Sequence, residues 1–140
     1  MLKAKMTETK TFNSKYRIYY EDTDSVGVVY YANYLKFFER GRTDFLRSKN
    51  IIQSELVSKF GIIFVVRNCF IEYFSPAKLD DLVEISTTIV QIKNASIKIK
   101  QEMIMGNKAL SGLEVEIVCV DSVSLKPKKI PDHIYNIFTI

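Results

Sequence analysis

One helical stripe followed by four long β-like runs leaves few folds open to this chain. Tyr34, Phe37, Phe38, Gly41 and Phe45 recur at i, i+3, i+4, i+7 and i+11, the spacing of one apolar helix face. Asn33, just ahead of the stripe, reads as its N-cap. The helix should end near Arg47–Asn50, with Asn50 taking the left-handed C-terminal position. Gly41 weakens a helix by about 1 kcal/mol relative to alanine, so its place on the stripe implies close packing against a sheet. Arg40 and Asp44, one helical turn apart, read as a solvent-side pair.

The weakly patterned segment Ile51–Phe60 reads as one or two further helical turns. Beyond it, Phe64–Phe74, Leu82–Lys93, Ser96–Met105 and Lys108–Asp121 are rich in β-branched and aromatic residues and read as strands. Their turns are Ser75–Asp81, Lys93–Ser96 and the tight Gly106-Asn107 hairpin. Upstream, Lys15–Tyr20 alternates with period two, placing Tyr16, Ile18 and Tyr20 on one face. Pro131 opens a short closing helix, Asp132–Phe138. The order strand, long helix, four antiparallel strands is α+β, with the helix covering one sheet face. At 140 residues, the expectation is one domain spanning 1–140.

The formal net charge is +4 and the pI about 9.0, but the lysines are scattered, and only Lys126, Lys128 and Lys129 cluster. That pattern reads as a solvated surface and not as a nucleic-acid face. No apolar run is long enough to span a membrane. Met1–Lys10 is polar and lacks the apolar segment of a secretory signal. Cys69 and Cys119 sit in strand-like apolar runs and read as small buried thiols, unbridged, in a reducing cytoplasm.

A single histidine, His133, cannot build a two-histidine metal site, and the cysteines lack metal-ligand spacing. No serine occupies a Gly-x-Ser-x-Gly turn. Gly27, Gly41, Gly61, Gly106 and Gly112 form no phosphate-cradling loop. No metal or cofactor is therefore expected.

The stretch with chemical content runs from Tyr19 to Tyr34: a tyrosine-rich strand, an acidic loop containing Gly27, then the helix. It sets the Asp24 carboxylate a few residues ahead of a helix N-terminus, where unpaired N–H groups attract negative charge. A nucleophile or base beside anion donors suits hydrolysis at a carbonyl carbon. The plainer reading of Asp24 is a turn residue bonding nearby backbone N–H groups. Asp22 reads as shaping the loop, because two adjacent reactive carboxylates repel each other.

Tyr20, Asp22, Asp24, Gly27, Val29, Tyr30, Asn33, Tyr34, Glu39 and Arg42, with Leu125-Lys126-Pro127 and Ile130-Pro131 later on, carry a family likeness. The pattern resembles the hotdog-fold acyl-CoA thioesterases of the 4-hydroxybenzoyl-CoA thioesterase group, above all the bacterial thioesterases associated with the Tol-Pal envelope system. The resemblance implies a sheet wrapped around the helix, edge-to-edge homodimers that commonly pair into tetramers, and active sites at the dimer interface. It implies acyl-CoA hydrolysis without a cofactor, with Asp24 attacking the thioester or activating water and the Tyr31 backbone N–H facing the thioester oxygen. The Tol-Pal-associated members usually carry histidine at the Tyr31 position; the benzoyl-CoA branch accepts tyrosine. Wall packing is the plain reading of the Tyr31 side chain.

The same resemblance assigns Gly27, Val29 and Tyr30 to substrate binding. It places Lys93, Asn94 and Ser96 on the turn that meets the CoA phosphates, with Lys128 and Lys129 as further charges or simply a solvated basic linker. Glu39 matches the catalytic glutamate of another hotdog branch, or else pairs with Arg42. Hydratases of this fold need a histidine beside an acid; Val29 stands where one branch carries it, and His133 is distant in sequence. The alternative to the hydrolase is a non-catalytic module binding acyl-CoA or an acyl carrier protein, which the basic balance would attract.

Overall fold

The computed structural model describes residues 5–6 and 10–139; most of the polar N-terminal stretch lies outside the described residues. The elements run β1 (Lys5–Met6), β2 (Phe12–Arg17), α1 (Tyr34–Ser48), α2 (Gln53–Glu55) continuing into a π-helical turn (Leu56–Phe60), β3 (Ile62–Tyr73), β4 (Leu82–Ile92), β5 (Ser96–Met105), β6 (Lys108–Asp121) and α3 (Asp132–Ile137). All strands join one antiparallel sheet in the order β1-β4-β5-β6-β3, with β2 also on β4. The sheet therefore has β3 as one edge, and β1 and β2 share the other. Among the described residues no helix is long and apolar enough to cross a membrane.

The α1 stripe lies where its periodicity placed it. Tyr34, Phe37, Phe38, Gly41 and Phe45 are all buried, and each fully buried phenylalanine contributes about 1.5–3 kcal/mol. They meet the inward residues of β4 and β5, among them Ile85, Ile89, Ile99 and Met103, and Phe45 stacks on Phe138 of the closing segment at 5.8 Å. At Gly41 the helix backbone comes so close to the sheet that an added Cβ would sit 2.5 Å from Ile85 Cγ2 and 3.1 Å from Gln101 Nε2. Asn50 takes the left-handed conformation, φ 62°, that ends the helix.

Local readings are corrected at several points. The strand expected to reach Tyr20, β2, stops at Arg17, and Tyr20, 81% exposed, opens a one-turn 3-10 helix, Tyr20–Asp22. Asn33 makes no side-chain cap; its Nδ2 donates instead to the Asp22 carbonyl at 3.0 Å, because a preceding 3-10 turn, Tyr31–Asn33, already starts the helical path. Asp44 is not paired with Arg40: it accepts a hydrogen bond from the Tyr16 hydroxyl of β2, while the Arg40 guanidinium lies 5.2 Å from the Phe37 ring centroid. Both cysteines are free thiols, but only Cys119 is buried; Cys69 is exposed on the edge strand. Burial raises the Cys119 thiol to about 11 against the opposing pull of Lys128.

Two expectations follow. Gly41→Ala gains helix propensity of up to about 1 kcal/mol but forces a methyl group into Ile85, an overpacking that costs about 1–3 kcal/mol. The net result is a Tm several degrees lower, and an unchanged or higher Tm in calorimetry would contradict the contact. Burial first, then the hydrogen bond to Asp44, raises the Tyr16 phenol from 10.0 to about 12, with Ser14 and Arg40 acting oppositely. The folded state thus holds the proton more tightly than the unfolded one, so this contribution is complete below pH 10 and disappears as pH rises through about 12. Urea midpoints should fall less between pH 9.5 and 12 for Tyr16→Phe than for the parent chain.

Candidate active site

The acidic loop is closed on itself by backbone bonds and then laid against the β3–β4 connection. Thr23 bridges Val29, and Val28 bridges Lys78; the Val29 amide donates to Ala77 O at 2.8 Å and the Tyr30 amide to Asp22 O at 3.1 Å. Asp22 is buried, 4% exposed, and its Oδ2 accepts from the Tyr19 amide at 2.8 Å. Its loop-shaping role is thereby visible. Gly27 has φ +83°, where a side chain would be strained, and its conformation turns the chain back toward the helix. Asp24 is exposed, and its Oδ1 accepts from the Val26 amide at 2.9 Å. The turn-forming reading of Asp24 is therefore real, and it leaves the outer carboxylate oxygen facing solvent.

The loop delivers the chain to the helix entry. Among the described residues the Tyr31 and Ala32 N–H groups donate to no protein acceptor, as the first amides of a helical segment have no internal partner. Tyr31, which Ala32 follows in the chain, lines an open recess of about 340 Å³ with Val29, Tyr34, Tyr73, Phe74 and Pro76. Tyrosines dominate it: Tyr30 and Tyr31 rings lie 4.9 Å apart, and Tyr73 stands edge-on to Tyr34 at 5.0 Å. The Tyr34 hydroxyl accepts from the Ala77 amide at 3.0 Å. Tyr73 donates to the Tyr31 carbonyl at 2.9 Å. Val29 and Tyr31 of this loop line the recess, Tyr30 packs beside Tyr31, and Asp24 stands earlier on the same loop; both Tyr30 and Tyr31 are exposed.

Farther along α1, Glu39 and Arg42 line a smaller groove of about 230 Å³ with Phe64 and Val66 of the edge strand. They form no ion pair within contact distance. Arg42 donates instead to Gln101 Oε1 at 3.0 Å, and the Gln101 amide donates to Phe38 O at 2.9 Å and Thr87 Oγ1 at 3.0 Å. Gln101 is 1% exposed, so its orientation is set by this network. Burial lowers the Arg42 guanidinium from its ordinary value, while the Glu39 and Cys69 charges oppose that fall.

The residues expected near the CoA phosphates gather elsewhere. The Ile130 amide donates to Asn94 O at 2.9 Å and the Cys119 amide to Ala95 O at 2.7 Å, so the Lys93–Ser96 turn lies beside the Lys126–Ile130 segment. Phe74, at the recess, bonds to Leu110 O; from Leu110 to Cys119 along β6 is roughly 30 Å at the usual strand rise. Within one chain the two groups therefore occupy opposite ends of the sheet. Lys93 and Asn94 face outward, but Ser96 is buried, 6% exposed, in the strand ladder opposite Val118. Lys128 reaches Asp121 at 3.9 Å and Phe60 O at 3.4 Å, and Lys129 pairs with Asp132 at 3.1 Å. His133 lies against Phe60, ring centroids 4.9 Å apart and planes tilted by 36°, also at this far end.

Tyr73, Gln101 and Thr87 were not singled out in the sequence. Alternation along the edge-strand run marks the face that Tyr73 shares with Cys69, but no local pattern says which residue of that face meets a helix 42 positions earlier.

Residues 19–138 match the family described as the Thioesterase-like superfamily. Over 127 residues the chain is 42% identical to the acyl-CoA thioester hydrolase YbgC of Escherichia coli O157:H7, covering 90% of this chain and 94% of that protein. The acyl-CoA thioesterase YbgC of Helicobacter pylori is 36% identical over 113 residues, or 81% of this chain and 71% of that protein. A probable thioesterase from Bartonella henselae superposes with a TM-score of 0.84 at 37% identity, covering 87% of this chain and all of that one. Since the match takes in the acidic loop, the long helix and the four principal strands, the chain belongs to the thioesterase-like superfamily and has its hotdog fold.

Proposed function

We propose that this protein hydrolyses acyl-CoA thioesters to a free acid and CoA, with chemistry centred on Asp24 and the entry of α1. The observation that carries the reading is the pair of unpartnered amides, Tyr31 and Ala32, at the end of a carboxylate-bearing loop and beside an open recess. A thioester oxygen seated on the Tyr31 N–H gains negative charge as the carbonyl carbon becomes tetrahedral, and a preorganised donor stabilises that charge. Asp24 either attacks the carbon or takes a proton from water that does. In both cases the C–S bond breaks, CoA leaves as thiolate and acquires a proton, and one water is consumed per turnover. Val29 lines the recess, Tyr30 packs against the Tyr31 ring at its wall, and Gly27 holds the loop that leads to it.

Two subunits are proposed to complete each site. β3 is a twelve-residue edge with Val65, Val66, Phe70 and Tyr73 exposed, and an open edge of that length invites pairing with another strand. Antiparallel pairing of two β3 strands about the bulge between Val66 and Asn68 sets the Tyr73 end of one against the Ile62 end of the other. The far-end lysines then approach the partner's recess, where Lys93, Lys128 and Lys129 are suited to CoA phosphates as point charges. The same basic end suits an acidic acyl carrier protein as an alternative acyl donor. A reducing cytoplasm, where two free thiols persist, is the proposed compartment.

Asp24→Asn retains an Oδ1 acceptor for the Val26 amide and so keeps the turn. It should lower kcat on acyl-CoA by 100-fold or more with an unchanged melting temperature; near-normal turnover in a thiol-capture assay would remove Asp24 from the chemistry. Co-expression of Asp24→Asn and Lys128→Glu chains tests the shared site. Each mixed dimer then holds one intact combination, so activity should exceed the sum of the two separate variants. No recovery would place both residues in the service of a single chain's site.

A further inference from the structure

The helix-entry amides are aimed by what holds the oxygens of their peptide units. Tyr30 O, on the unit that carries the Tyr31 N–H, accepts from the Asn33 amide at 2.8 Å, a bond local to the turn. Tyr31 O, on the unit that carries the Ala32 N–H, accepts from the Tyr73 hydroxyl at 2.9 Å. A trans peptide is planar and its N–H and C=O point in opposite directions, so restraining the oxygen restrains the direction of the N–H. The second restraint comes from β3, the sheet edge, and not from the helix.

The Tyr73 ring is itself held. It meets Tyr34 edge-on at 5.0 Å and 81°, and Tyr31 at 6.5 Å and 84°. Tyr34 is 3% exposed and tied by its hydroxyl to the Ala77 amide at 3.0 Å. Ser111 Oγ donates to Glu72 O at 2.7 Å, and Tyr73 pairs with Ser111 in the β3–β6 ladder, which fixes the strand beneath the ring. Burial foremost, with the neighbouring Tyr34, Tyr31 and Cys69, raises the Tyr73 phenol, so the group remains a donor at neutral and mildly alkaline pH.

We propose that Tyr73 is a positioning residue for thioester hydrolysis, its hydroxyl locking the Tyr31–Ala32 peptide and so fixing the direction of the Ala32 N–H beside that of Tyr31. The proposal rests on the reading that the helix entry receives the thioester oxygen, with the Ala32 N–H as a second donor beside the Tyr31 N–H. Tyr73 transfers no proton in this role; its hydroxyl keeps the hydrogen and donates it to the Tyr31 carbonyl throughout. Edge pairing of β3 would stiffen the same strand and thereby the same lock.

Tyr73→Phe keeps the ring and both aromatic contacts and removes only the hydroxyl. Steady-state kinetics should show kcat falling about tenfold, less than the 100-fold or more that follows complete loss of an oxyanion donor, with KM within twofold and Tm unchanged. The carbonyl stretch of a 13C-labelled acyl-CoA bound to the slow Asp24→Asn variant gives a second readout. Binding should move it to lower wavenumber, and adding Tyr73→Phe should reduce that displacement. An unchanged kcat, a loss carried by KM, or a displacement untouched by Tyr73→Phe would overturn the role of Tyr73 while leaving the helix-entry reading standing. No displacement on binding to Asp24→Asn would overturn the helix-entry reading and the lock together.

Discussion

The close seat of α1 on the sheet at Gly41 is the contact on which the remaining geometry depends. Without a side chain there, Ile85 and Gln101 can reach the helix backbone, and Gln101 can donate to Phe38 O and accept from Arg42. A buried polar side chain is tolerable only when its hydrogen bonds are made, and here one glutamine joins helix, β4 and β5. The helix height and rotation that result determine where Tyr34 and the 3-10 turn before it emerge. The recess at the helix entry is thus a consequence of packing two turns away.

The loop ahead of the helix works by a different economy, almost entirely through backbone bonds. Asp22 takes the Tyr19 amide with its carboxylate and the Tyr30 amide and Asn33 side chain with its carbonyl. One buried acid therefore closes both ends of the loop. This division leaves Asp24 at the surface with its turn bond to Val26, and leaves the Tyr31 and Ala32 amides without an acceptor among the described residues. The structural and chemical readings of Asp24 are compatible, because one carboxylate oxygen suffices for the turn.

Charge and apolar exposure are arranged lengthwise. Tyrosines and carboxylates crowd the helix-entry end, whereas Lys93, Lys126, Lys128 and Lys129 crowd the other. The open flank between them is β3, whose inward face α1 leaves largely uncovered, since the helix lies over β2, β4 and β5. Pairing of two such flanks would bring unlike ends together in both halves of a two-fold assembly, a geometry consistent with isologous association.

Much of this was present in the one-dimensional pattern. The 3.6-residue stripe of α1, the four strand runs within two residues of their bounds, the left-handed Asn50 and the tight Gly106-Asn107 hairpin are local properties, dictated by side-chain period and turn stereochemistry. The acidic loop was legible for the same reason, as a short motif with a carboxylate ahead of a helix. Three kinds of fact were not. Tyr20 left the strand and Asn33 turned to Asp22 because closing the loop satisfies more backbone groups than extending the ladder. Asp44 chose Tyr16 over Arg40 because a sheet residue was pressed against the helix. Tyr73, Gln101 and Thr87 acquired roles through partners 14 to 63 positions away. Periodicity determines which face of an element is buried, but which residue of one element meets which residue of another is decided by how far the elements can approach, and that is a property of the packed whole.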